Sequence, residues 1–540
     1  MSRTPLRRGI QLLVATLTCA LLIPLVHSRA EAFCGFYVSG GTADLYNNAT
    51  MVVMMRDGQR TVLSMQNTYE GPPEDFAMVV PVPVVLKKDN VKTLPPAIFT
   101  KVDQMAAPRL VEYWEQDPCW IEPPMEDRRL YKSGAMVKEE KRGMPSGGKV
   151  TVEAKFEVGE YEIVILSATE ATALDTWLKA QRYNLPSGAQ DSYRPYIDAG
   201  MYFFVARVNV KKVQFADGRA RLSPLRFHYD SKTFNLPVRL GLLNANGAQD
   251  LIVHILARNQ RYEVANYPNV TIPTNIDVTE DVRERFGEFY ASLYDKTQAK
   301  HPRAVVTEYA WDASSCDPCP GPNLDGSDFL TLGADTLPDK PQWGFALTRL
   351  HARYTKAELT EDLVFQAAPP ITGGREVYAD VNELEQGSKP ASVNNFQGRY
   401  AIRHVWTGEI TCENPVRGRW GGPPGGGAVP GVRPAQDTAF VKRGAFQLPS
   451  VLRKDIPEID LRASTTTRDL IEGKKGADAL AGDKPAAEPT TPVAPATPVT
   501  PEAPPAEGAS GGCTTVPHAA PTVTGLLLIA GAALLGLRRR

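Results

Sequence analysis

Between residues 33 and 461, apolar positions come in short runs broken every few residues by Gly, Pro, Asn or Asp. Residues 49–55 and 61–65 are two such runs, and they flank Asp57-Gly58; runs on either side of Asp-Gly predict a β-hairpin. Residues 75–82 form another run, ended by Pro81 and Pro83. Residues 150–156 and 161–166 pair around Gly159, and residues 201–210 predict a strong strand. Residues 213–215 and 222–227 flank Asp217-Gly218 and predict a second hairpin. Residues 251–256, 344–354, 363–366 and 399–407 predict further strands, the last being the final clear one. Helical spacing is rarer. Ile98, Val102 and Met105 follow Pro95-Pro96 on one helical face, and Leu110, Val111 and Trp114 continue that face beyond an interruption at Pro108. Residues 169–181 predict a short helix burying Leu174, Trp177 and Leu178. Thr279 stands as a cap before Val282, Phe286, Phe289, Tyr290 and Leu293. Strands outnumber helices, there is no regular strand–helix alternation, and no repeat of fixed period occurs. The expected class is α+β, predominantly antiparallel β-sheet with a few helices.

The two ends read differently. Arg3, Arg7 and Arg8 precede an apolar run over residues 10–26, and Ala30-Glu31-Ala32 supplies the small residues a signal peptidase needs. This order predicts a signal peptide over residues 1–32, cut between Ala32 and Phe33. Cys34 follows the bulky Phe33, which fits a lipoprotein signal poorly. Residues 462–512 are rich in Pro, Ala, Thr and Glu, a composition too poor in apolar surface to offset its ordering entropy, and predict an extended disordered linker. Residues 513–540 hold Cys513, an apolar run over 525–537 and the closing Arg538, Arg539 and Arg540. That run barely approaches the roughly 20 apolar residues a bilayer core requires, and the arginines would stay cytoplasmic.

This tail resembles the myxobacterial C-terminal sorting signal: a cysteine, a hydrophobic helix and an arginine cluster. The resemblance implies that Cys513 is the processing and attachment site and that the helix is removed. A plain tail anchor that is never cut is the alternative. The middle resembles the bacterial domain-of-unknown-function family 2330 through "YNNATMVVMMRDGQRTVLSMQNTYEGPPEDFAMVVPVPV", "RPYIDAGMYFFVARV" and "FALTRLHARYTKAELTEDLVFQAAPPITGGRE". It covers residues 33–376, with 377–461 as a C-terminal extension of the globular region. The resemblance implies no reaction, because the family has none assigned.

With 540 residues the chain is long enough for two to four domains, and 43% hydrophobic content supplies a core. A formal net charge of −1 gives no global field toward nucleic acid or an anionic membrane, and the charges of residues 126–148 are of mixed sign, as in a solvated loop.

Candidate chemistry is sparse. With Cys19 in the signal and Cys513 in the tail, five cysteines remain for an oxidising compartment, so at least one is unpaired within the body. Cys316-Asp317-Pro318-Cys319 is the most suggestive motif. Pro320-Gly321-Pro322 forbids the helix that would activate Cys316 as a redox thiol, so a disulfide between Cys316 and Cys319, or bridges from each to distant cysteines, is expected. No second cysteine pair or close histidine pair completes a zinc site. Arg349, His351 and Arg353 alternate onto one strand face, either as an anion-binding row or as the polar side of a half-exposed strand, the second being expected. His228 and His404 lie in strand-like runs with no nucleophile motif nearby, and Asn48 and Asn269 head glycosylation sequons that carry little weight beside bacterial-type end signals. Nucleophile elbow, phosphate-loop, dinucleotide and zinc-protease motifs are missing from the sequence.

The expectation is an exported protein with no cofactor and no metal, tethered to the membrane by its C-terminal helix or a lipid. It would sit at the cell surface or outer membrane, or in the inner membrane facing the periplasm. Its partners would be the export and sorting machinery and an extracytoplasmic ligand, not nucleic acid. Its work would be non-enzymatic binding or display. An extracytoplasmic hydrolase with a non-local site and a thiol–disulfide protein using Cys316 and Cys319 are the alternatives.

Overall fold

The computed structural model describes residues 36–39, 47–66, 76–119, 151–380 and 383–463, apart from short interruptions at 184, 186–187, 217–218, 424–430, 435–440, 442 and 445. The signal peptide, the 126–148 loop, Cys34, the linker and the tail, with Ala32, Phe33, Cys513, Arg538, Arg539 and Arg540, lie outside these residues.

The predicted hairpin is present. Strand Asn47–Asp57 turns at Gly58-Gln59 into Arg60–Met65, with Gly58 at a φ of +54°. Both faces of this ribbon are apolar because both are covered. Val52, Met54, Leu63 and Met65 face one core, while Val53, Met55 and Val62 face another. The ribbon sits inside an eleven-stranded sheet, counted among the described residues. The long strand Ala245–Arg258 pairs parallel with Asn47–Asp57 and antiparallel with Phe345–Tyr354, which pairs antiparallel with Val305–Asp312. On one face lies a five-stranded sheet, including Phe76–Val82, Tyr202–Val208, Tyr161–Ser167 and Thr151–Val158, which contributes Met78, Val80, Ile163, Ile165 and Phe204 to the shared core. Helices Ala171–Ala180 and Ala189–Asp198 cover its outer face through Leu174, Leu178, Tyr193 and Tyr196. Trp177 is only half-buried.

Opposite, helix Ala97–Ala106 and the short helix Gly326–Leu332 pack on the large sheet. Helix Phe286–Lys300 joins that sheet to a further five-stranded sheet, burying Phe286, Phe289, Tyr290 and Leu293 as the periodicity predicts. Thr279 precedes a short 3-10 stretch, Glu280–Arg285, and its side chain does not cap it.

The fold class is mixed α+β and mostly β. Two local expectations are corrected. Leu110, Val111 and Trp114 do not extend a helix past Pro108; they lie in strand Arg109–Glu115, hydrogen-bonded parallel to Arg399–His404. Pro108 ends the helix, and pairing with a strand 290 positions downstream, in register at Arg399↔Arg109, decides the rest. In the second hairpin, Gln214–Ala216 returns through Arg219–Arg221, while Leu225–Asp230 crosses to the large sheet beside Arg60–Met65.

The described residues between 377 and 463 are built into the body. Arg399–His404 is flanked by Ile276–Val278 and Arg109–Glu115, all parallel, with Gly431–Pro434 and Trp420–Gly421 adding antiparallel to Arg109–Glu115.

Candidate functional site

Strand Phe345–Tyr354 does place Arg349, His351 and Arg353 on one face, but of the three only Arg353 reaches the surface. Arg349 and His351 are fully buried, and the anions opposite them are the protein's own. Arg349 Nε donates to Glu308 Oε2 at 2.6 Å and its Nη1 to Asp103. The two nitrogens of His351 meet Glu308 Oε1 at 2.6 Å and Asp250 Oδ1 at 3.0 Å. Tyr290 donates to Glu308 Oε1. Asp250 also accepts from Arg353 and, at 2.8 Å, from Arg443, which reaches Asp295 with its other arm. Tyr294 stacks on the His351 ring with centroids 3.9 Å apart.

The electrostatics follow from this geometry. Burial alone would raise the Glu308 carboxyl, but the charges of His351 and Arg349 outweigh it and hold the group at about 2. Burial likewise pushes His351 down, and Glu308 and Asp250 together raise it above its ordinary value. With a carboxylate at each nitrogen, both ring nitrogens donate and the ring is an imidazolium. His254, 3.3 Å from Arg349 Nη1, goes the other way: burial and then the Arg349 charge hold it well below its ordinary value, and it is neutral. Asp103, Asp250, Asp295 and Glu308 thus balance Arg349, Arg353, Arg443 and protonated His351. The set reaches the surface through Arg353 and Arg443, whose side chains are 25% and 14% exposed. The pocket at Arg353, with Tyr267, Arg303 and Glu358 in its wall, has room for little more than a water molecule.

A second cluster lies toward the C-terminal ends of the three parallel strands, a usual place for function in parallel sheets. His404 bridges Glu112 and Glu280 at 2.9 Å each and stacks on Trp114. Arg283 grips Glu112 through Nε and Nη2. One strand face below, buried Arg403 pairs with buried Asp277 at 2.8 Å and lies over the Trp420 ring. These charges again satisfy one another.

The cysteine motif closes on itself, Cys316 to Cys319, and Cys119 bridges to Cys412. No helix starts at Cys316; the next one begins at Gly326, capped by Asp325. Three buried side chains pin the Cys316–Cys319 loop and the residue before it by their carbonyls. Tyr309 OH donates to Ser315 O, Gln397 Nε2 to Asp317 O at 2.5 Å, and Arg109 Nη1 to Pro318 O at 2.8 Å. The sequon residue Asn269 uses its amide to bind the Val264 backbone in both directions. Among the described residues, no group of three or more His, Cys, Asp or Glu is placed to hold a metal ion, and no helix is long and apolar enough to cross a membrane.

The sequence reading singled out Arg349, His351 and Arg353 but not Glu308, Asp250, Asp103, Arg109 or Arg399. The one available signal for Glu308 was its place inside the apolar run 305–311, where a lone carboxylate demands a partner.

A protein-family model described as an uncharacterized protein conserved in bacteria, domain of unknown function 2330, matches residues 28–366, more than half of the chain. The chain belongs to this family. No curated protein and no solved structure matches it. The family match ends within strand Leu363–Ala368, so Arg399–His404 and Cys412 lie beyond it. Membership brings no activity, and function rests on this chain's own residues.

Proposed function

We propose that the protein is an exported module, tethered at the cell envelope through its C-terminal tail, that works by binding or scaffolding rather than by catalysis. The observation that carries this reading is the closure of the titratable cluster around Glu308 and His351. Glu308, His351 and Arg349 are wholly buried; both oxygens of Glu308 and both nitrogens of His351 are taken by Arg349, Tyr290, Asp250 and one another, and Arg349 also reaches Asp103 and His254. A general acid or base must reach a substrate proton directly or through one water, and these groups are covered. Two disulfides suit an oxidising compartment, as the end signals do. The 462–512 linker would hold the folded body clear of the membrane, and Cys513 would carry the attachment.

A second reading has one observation in its favour: Cys319, one half of a disulfide, is exposed, as a thiol–disulfide exchanger needs. Against it, the loop lacks the helix N-terminus that activates such a thiol. Labelling of intact producing cells with a membrane-impermeant amine reagent tests the main reading. Labelling of the protein without permeabilisation is expected. Labelling only after the outer membrane is opened supports the inner-membrane alternative, and recovery of the unlabelled protein in the cytosol rejects export.

A further inference from the structure

The four most deeply buried arginines among the described residues divide into two kinds. Arg226 has Asp335, and Arg349 has Asp103 and Glu308. Arg109 and Arg399, 0% and 1% exposed, form no ion pair among the described residues. They are also neighbours, directly in register on two parallel strands, so their side chains leave the same face of the sheet.

Their contacts are all to neutral groups. Arg109 donates to the carbonyls of Met105 and Pro318 and lies over the Tyr309 ring. Arg399 donates to Asn275 Oδ1 at 2.9 Å and to Tyr113 OH at 2.7 Å. Each of the four arginines keeps one buried nitrogen without a hydrogen-bond partner, Nε in Arg109 and Arg226 and Nη2 in Arg349 and Arg399, so it is the missing counter-charge that sets Arg109 and Arg399 apart. Burying two like charges side by side without a counter-charge is strongly unfavourable, and burial, with Arg399 and Arg349 adding to it, pulls the Arg109 guanidinium down to about 10.

The backbone of a third arginine adjoins them. Asn275, which holds Arg399, also donates to Arg375 O at 2.8 Å, and Gln397 Nε2 donates to Gly374 O at 2.8 Å. Arg375 is half-exposed, yet its Nε is buried and unpartnered, as is Gln397 Oε1. The Gly373-Gly374 turn before it has φ values of +156° and +68°. A Cβ on Gly374 would lie 1.9 Å from Gln397 O, so only glycine allows this approach of turn to strand. Asp317 and Glu376, both exposed, are the carboxylates whose charge is felt here, at Arg109 and Tyr113.

We propose that Arg109, Arg399 and Arg375, with the Gly373-Gly374 turn and Gln397, form a binding site for a phosphate-class oxyanion. Guanidinium groups match such oxygens in planar, two-point fashion. A hydrogen phosphate also carries a hydroxyl, the donor that Gln397 Oε1 lacks, whereas sulfate at neutral pH carries none. Arg375 is the half-exposed side of the site and Arg109 and Arg399 its floor. The site gives the binding reading above a ligand class and rests on that reading for its biological sense; its failure would leave the envelope tether, tested on cells, untouched.

The test is thermal unfolding and calorimetric titration of the full chain with sodium phosphate, sulfate and chloride at matched ionic strength. Saturable stabilisation is expected, strongest with phosphate. Arg375→Ala, at a half-exposed position, should weaken phosphate binding about tenfold or more, the loss of one charge-assisted contact, and Arg399→Met should abolish the response. Glycerol 3-phosphate binding as tightly as phosphate would identify a phosphoryl group on a larger molecule as the occupant; its exclusion would identify free phosphate. Equal responses to all three salts, or an Arg375→Ala chain that responds like the parent, would overturn the proposal even if Arg399→Met failed to fold.

Discussion

Glu308→Gln is the substitution that puts most weight on the buried charge network. It keeps the volume and removes the charge. Glu308 Oε1 accepts from His351 and Tyr290, and Oε2 accepts from Arg349. The amide of a glutamine must turn its donor toward one of these donors, leaving Arg349 with Asp103 and His351 with Asp250. Two routes give the magnitude. Breaking a buried ion pair by removing one partner costs about 3–5 kcal/mol. A fully buried carboxyl held at about 2 instead of 4.5 corresponds to roughly 3 kcal/mol favouring its charged form. Urea unfolding of the full chain at pH 7 should therefore show a lower midpoint at unchanged slope, equivalent to about 3–5 kcal/mol. A loss below about 1 kcal/mol would refute the reasoning, because it would mean that water or local rearrangement replaces the carboxylate.

The same network fixes the sign of the pH dependence. His351 is raised, so its contribution is complete below its unfolded value of about 6.5 and is lost as pH rises through its folded value. His254 is lowered, so its contribution is present above about 6.5 and lost as pH falls; His254→Leu should flatten the acid side of the stability profile and leave the alkaline side. The Cys119–Cys412 bridge spans 293 residues and the Cys316–Cys319 bridge spans 3; by chain entropy, serines at the first pair should cost about 5 kcal/mol in thermal unfolding, and at the second only about 1.5–2 kcal/mol. Gly374→Ala should cost at least about 2 kcal/mol, since a Cβ there meets Gln397 O at 1.9 Å. Gly58→Ala, with a φ of +54° but open space, should cost only about 1–2 kcal/mol by the same measurement.

Local signals carried well where they were self-contained. The Asp57-Gly58 hairpin, the Gly159 turn and the helix under Phe286, Phe289, Tyr290 and Leu293 each depend on residues close in sequence, and each is present. The misreading at Arg109–Glu115 arose because Leu110, Val111 and Trp114 satisfy a helical spacing as well as an extended one. Only the parallel partner Arg399–His404 decides between them, and nothing near residue 110 announces it. The row Arg349, His351 and Arg353 was visible as alternation, but its burial was not. The carboxylates that neutralise it come from 41, 101 and 246 positions away, at Glu308, Asp250 and Asp103. The buried arginine pair was hidden for the same reason: Arg109 and Arg399 look like unrelated surface cations until strand pairing sets them in register.

Intact-mass spectrometry of the protein recovered from its native envelope, without reduction, tests the central claim most directly. The account predicts a chain beginning at Phe33, ending near Cys513 with a lipid-sized addition, and gaining the mass of four hydrogens on reduction for its two described disulfides. A chain retaining residues 1–32, or one running unmodified to Arg540 and recovered from the soluble cytosolic fraction, would contradict it.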